Sequence, residues 1–160
     1  MKSKGQIGQI FIYVISALII ILVLYYGYGA IQNIGQKQQE LSYVKFQTSM
    51  SDMISYTSSD YGTVRMEDFL VPEGYSEVCF VDPYLITTRD ASTIPEAEYP
   101  LIYDSVEDGV RANIFVIPGG QPFYNEKIFI EDSSKFKCFA VVQGKISLRI
   151  EGLGDKAKIS

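Results

Sequence analysis

Hydrophobic and polar positions divide the chain into three stretches. From Ile10 to Ile31 apolar or aromatic side chains are interrupted only by Ser16, Gly27 and Gly29, and no charged residue stands between Lys4 and Lys37. Such a run is apolar on every face of a helix. Its 22 residues would rise about 33 Å, matching a bilayer core of about 30 Å. A cytosolic helix of this kind needs protein all round it, which the remaining chain could hardly supply while building a core of its own. The segment is therefore expected to be embedded in a membrane.

The second stretch, QNIGQKQQELSYVKFQTSMSDMISYTSSDYG, is rich in good helix formers, and no proline precedes Pro72. Apolar residues recur at Ile34, Leu41 and Val44, then at Phe46, Met50, Met53, Ile54 and Tyr56, a helical rather than an alternating spacing. Gly35 weakens such a helix by about 1 kcal/mol without breaking it. The cluster Ser58-Ser59-Asp60-Tyr61-Gly62 ends it. The pattern predicts one helix over 6–57, apolar over 10–31 and amphipathic over 32–57, about 75 Å long. The amphipathic half needs a surface to lie on. A juxtamembrane stalk is the alternative, although the heptads are too few and irregular to define a coiled coil.

The third stretch, 62–160, turns to short β-type runs at 63–71, 76–82, 112–118, 127–131, 135–143 and 145–153, punctuated by Pro72-Glu73-Gly74, Pro83, Gly119-Gly120 and Gly144. Ile146, Leu148 and Ile150 alternate with Ser147, Arg149 and Glu151, and Val78 and Phe80 with Glu77 and Cys79. This predicts a small antiparallel β-sheet with one covered face, the amphipathic helix being its cover. The fold class is α+β. Between Pro83 and Gly109 the chain is acidic, turn-rich and without a period. An irregular excursion containing a short helix fits there, as a binding loop or as a packed connection.

Charge orients these parts. Lys2 and Lys4 precede the apolar run, whereas all 19 acidic residues and 12 of the 14 basic ones follow it, an excess of seven acidic charges. The positive-inside rule places the N-terminus in the cytoplasm and the C-terminal domain outside. Tyr25, Tyr26 and Tyr28 fall at the outer end of the span, where amphipathic rings favour the interface. An acidic exterior excludes a nucleic-acid partner, whose phosphates need a basic surface.

Little in the sequence supports catalysis. Histidine is absent, which removes Ser-His-Asp and Cys-His nucleophiles and most zinc sites. No phosphate loop or dinucleotide fingerprint occurs, so no cofactor is expected. The pairs Glu67-Asp68, Glu107-Asp108 and Glu131-Asp132 read as solvated charges, since neighbours on a strand point to opposite faces. Asp82, Asp90 and Asp104 are the candidates for a weak calcium site, and Gly119-Gly120-Gln121 is a turn. No catalytic residue and no resident metal is assigned. Cys79 and Cys138, an even count in an extracytoplasmic domain, are a candidate disulfide, with two buried free thiols as the alternative. Closed, it would stabilise by roughly 3–4 kcal/mol in the chain-entropy account.

The N-terminus admits three readings: a signal removed after the apolar run, a permanent single-pass anchor, or a leader cut before it. A signal peptidase could use Gly27-Tyr28-Gly29, but the apolar run exceeds the usual signal core. The third reading rests on Lys4-Gly5-Gln6, which stands ahead of the run. This resembles the class III signal peptide of archaeal type IV pilin-like proteins. The resemblance implies a prepilin-type peptidase cutting between Gly5 and Gln6, with residues 1–5 as the leader and Lys2 and Lys4 as its charge. It implies a pilin-like lollipop, with the apolar helix retained and a β-rich head. Its function would be that of a major or minor subunit of a cell-surface filament, as a homo-oligomer or co-assembled with other pilin-like subunits. A membrane-anchored extracytoplasmic binding domain outside any filament is the alternative.

Overall fold

The structure, a computed structural model, describes residues 6–160, and nothing is described of the side chains at 6–9 and 29–39. Lys2, Lys4 and Gly5 thus lie outside the described residues, as do the side chains of Gln6 and Ile34. The chain divides into two units, Met1–Leu41 and Ser42–Ser160.

Helix α1, Gln6–Ser58, begins in the first unit. Within it Ile10–Tyr28 is long and apolar enough to cross a membrane, and none of that window is buried against protein. A retained anchor and a signal sequence share this property. Leu18 and Leu24 are 56% and 67% exposed, values that a leucine in water would make costly over so long a run.

The second unit holds the end of α1 and an α+β domain with β1 (Val64–Leu70), β2 (Glu77–Val81), α2 (Pro83–Thr88), α3 (Pro100–Glu107), β3 (Ile114–Ile117), β4 (Ile128–Phe129), β5 (Phe136–Ala140), β6 (Lys145–Gly152) and β7 (Ala157–Ile159). The expected single antiparallel sheet is two sheets, a four-stranded one in the order β1-β6-β7-β4 and a three-stranded one in the order β3-β2-β5. The first is mixed, because β4 pairs with β7 in parallel.

Alternation along β6 buries Ile146, Leu148 and Ile150 and leaves Lys145 and Ser147 exposed. That face shares one core with Val78, Phe80, Ile114 and Val116 of the three-stranded sheet and with Tyr43, Phe46, Met50 and Ile54 of α1. The buried stripe of α1 is Tyr43, Phe46, Met50, Ile54 and Thr57. It keeps Phe46, Met50 and Ile54 of the expected stripe, whereas Leu41, Val44 and Tyr56, expected on the same face, are exposed.

The other face of the three-stranded sheet is covered as well. Cys79, Val81 and Phe115 join Leu85 and Ile86 of α2 and Ile102 and Val106 of α3 in a second cluster. The acidic excursion is therefore a packed layer, opened by prolines at the first turns of α2 and α3. Where α1 ends, Gly152 of β6 admits the chain: a Cβ there would lie 2.1 Å from the Thr57 carbonyl oxygen and 2.3 Å from that of Asp60.

Candidate functional site

Two features carry chemistry or recognition beyond the needs of the fold. The first is the apolar surface of α1 over Ile10–Tyr28, whose large side chains are exposed on every side of the helix. By length and composition it could cross a bilayer. Between Ile10 and Leu24 the only polar side-chain groups are the hydroxyls of Tyr13 and Ser16, and the backbone groups are satisfied within the helix itself.

The second lies between β2, β5 and the start of α3. Cys79 and Cys138 are opposed across the β2–β5 ladder, and their sulfurs stand 2.01 Å apart, at disulfide distance. The flanking ladder bonds explain why the side chains meet. Val141 N donates to Ser76 O and Asp82 N to Lys135 O, which in this register leaves positions 79 and 138 as a non-hydrogen-bonded pair, where side chains approach most closely. Cys79 is fully buried, against the sequence expectation that it lies on a solvent face. Glu77, two residues before Cys79, lies on the same face of β2, and the Tyr99 hydroxyl donates to its Oε2 at 3.0 Å. Burial, and then the Glu77 carboxylate it is bonded to, push the Tyr99 phenol up to about 12.

The candidate calcium ligands do not converge. Asp82 is buried, and its oxygens accept from Tyr84 N at 2.9 Å and Ile130 N at 3.0 Å, capping α2 and tying it to the residue after β4. Asp90 is engaged by its neighbour Ser92, whose hydroxyl and amide hold the Asp90 carboxyl below its ordinary range. Asp104 lies on α3. The paired carboxylates are dispersed too: Asp68 accepts from the Ser147 hydroxyl on the outer face of the four-stranded sheet, and Glu131 pairs with Lys158, which Glu151 and Arg149 join.

Gly119-Gly120-Gln121 is a turn after β3, and its Gln121 carbonyl accepts from the Tyr43 hydroxyl of α1. Sequence reading missed the polar seam beside it. Asn113 lends its side-chain amide to the backbone of Asn125, donating to O and accepting from N at 2.8 Å each, while Asn125 Nδ2 donates to Ser51 Oγ on α1 at 3.2 Å. Both asparagines are buried. An asparagine opening an apolar run, as in Ala112-Asn113-Ile114-Phe115, is the signal that would have found it.

Comparison with family models, with curated proteins and with solved structures returns no match.

Proposed function

We propose that this chain is a structural subunit of a type IV pilus-like surface filament, held in the membrane and then in the filament by the apolar part of α1. The observation that carries the reading is the division of labour along that one helix. Residues Ile10–Tyr28 are apolar with none of the window buried, whereas the last turns bury Phe46, Met50 and Ile54 in the β domain. A segment apolar on all sides suits both a bilayer and a bundle of equivalent helices, so it can pass from one to the other without exposing a charged side chain. Lys4-Gly5-Gln6 supplies the cut that would release it from its cytoplasmic charge. The filament reading places the N-terminus in the cytoplasm before assembly and the acidic head outside. It makes a prepilin-type peptidase the processing partner.

The mature N-terminus tests this. N-terminal sequencing and intact mass of the membrane-extracted protein should show Gln6 first, and Gly5→Val should leave the leader attached. A chain that keeps residues 1–5 would instead be a permanently anchored domain. A start near Ala30 would mean a secreted one.

A further inference from the structure

The cluster beneath the start of α3 has a capacity that filament assembly does not use. The two sulfurs of Cys79 and Cys138 and a carboxylate oxygen of Glu77 all lie within 4.8 Å of one another. Ala140 is the residue opposite Glu77, so the smallest chiral side chain flanks the carboxylate and leaves room beside it. Tyr99 holds that carboxylate from above, and its ring meets Phe136 edge-on at 5.3 Å. Cys79 is fully buried, while Glu77 and Cys138 are half-buried. The cluster thus has an apolar back, an oriented carboxylate and a side open to solvent.

We propose that, once its disulfide is reduced, this cluster binds a single soft divalent cation such as Zn²⁺ or Cd²⁺. The two thiolates and the Glu77 carboxylate are the ligands, and Tyr99 positions the carboxylate. The reductant is a dithiol. Its two thiols pass two electrons and two protons to the Cys79–Cys138 bond, leaving a cyclic disulfide and two protein thiols. The cation then takes both sulfurs as thiolates and releases their protons to water. Two soft sulfurs select zinc-like ions over calcium or magnesium. Three protein ligands leave one tetrahedral position for water. In the oxidised chain the sulfurs are committed to each other, so the redox state gates the site.

The test uses the full chain in detergent micelles. It is reduced with dithiothreitol, desalted without oxygen and titrated with Cd²⁺, while the ultraviolet thiolate-to-cadmium charge-transfer absorption is followed. The absorption should saturate at a single ion per chain and be absent from the oxidised chain. Glu77→Gln should weaken Cd²⁺ about 10- to 100-fold, and Tyr99→Phe about tenfold, as loss of an orienting partner does. Near-ultraviolet circular dichroism of the same samples reports whether the reduced head keeps its packing. Absence of the absorption overturns the proposal. So does an affinity unchanged in Glu77→Gln, because thiols of a folded or unfolded chain would then bind the ion unaided.

Discussion

Asn113 does with its side chain what a strand does with its backbone. Its amide closes two hydrogen bonds on Asn125, and both residues are buried. Asn113→Ala would leave a donor and an acceptor of Asn125 without partners away from water, at about 1–3 kcal/mol for each group. The urea midpoint should fall by a corresponding amount at unchanged m-value, whereas Ser133→Ala at an exposed turn should move it little. Tyr43 makes a different commitment. Burial chiefly, and the nearby Tyr75, push its phenol up to about 12 from 10.0, with the Gln47 hydrogen bond pulling the other way. Folded Tyr43 therefore keeps its proton where an unfolded tyrosine has lost it. The native chain holds more protons between about pH 10 and 12, and its stability must fall as pH rises through that window. Thermal melts across this range should steepen downward, and Tyr43→Phe should flatten part of that slope. Of the site between β2, β5 and α3 the sequence disclosed only the Cys79–Cys138 pair, by even count and inferred compartment. Glu77 and Tyr99 are 22 residues apart, and only the placement of α3 brings them together.

Among the elements, strands were more legible than their partners. Alternation along 145–153 marks β6 and its buried face, because one side of it meets water. The same rule misreads β2, where both faces are covered and Cys79 is as buried as Val78. The covering helices α2 and α3 have six and eight residues, too short to display a helical period among acidic turn residues. Strand β7 has three residues, one of them Lys158, and alternation does not say which strands share a sheet. The α1 stripe was legible at Phe46, Met50 and Ile54 but not at its start, because tyrosine is amphipathic: Tyr43 turns its ring inward and spends its hydroxyl on Gln121, while Val44 faces out. This phase predicts a contrast. Ile54→Ala should cost about 2–5 kcal/mol, as other large-to-small core changes do, and Val44→Ala less than about 0.5 kcal/mol. Gly152 marks where the end of α1 meets β6. With the Thr57 oxygen 2.1 Å from the position of a Cβ, Gly152→Ala should displace the helix end, detectable as faster amide exchange at Thr57 and Ser58.

For the molecule as a whole, the two units differ in where their apolar surface goes. The first leaves Ile10–Tyr28, a span long and apolar enough to cross a membrane, unburied. The second satisfies itself: both hydrophobic clusters are composed of residues from Tyr43 onward, and the Cys79–Cys138 pair belongs to the cluster beneath α2 and α3. The apolar helix was legible from sequence because its length and composition can be read residue by residue, without knowing what packs against it. The closure of the head was not, because it depends on the pairing of distant strands. If the head's core is self-sufficient, the fragment 42–160 should be soluble without detergent and unfold in one cooperative transition, at a temperature within a few degrees of the head transition in the full chain. Removing the cross-link by Cys79→Ser should lower that transition, since a loop of 59 residues in sequence separation is worth roughly 3–4 kcal/mol. An aggregated or non-cooperative fragment would show that the head needs the rest of α1. Helix assembly and head folding would then be one process, and a mutation in the apolar segment would destabilise the head as well as its anchorage.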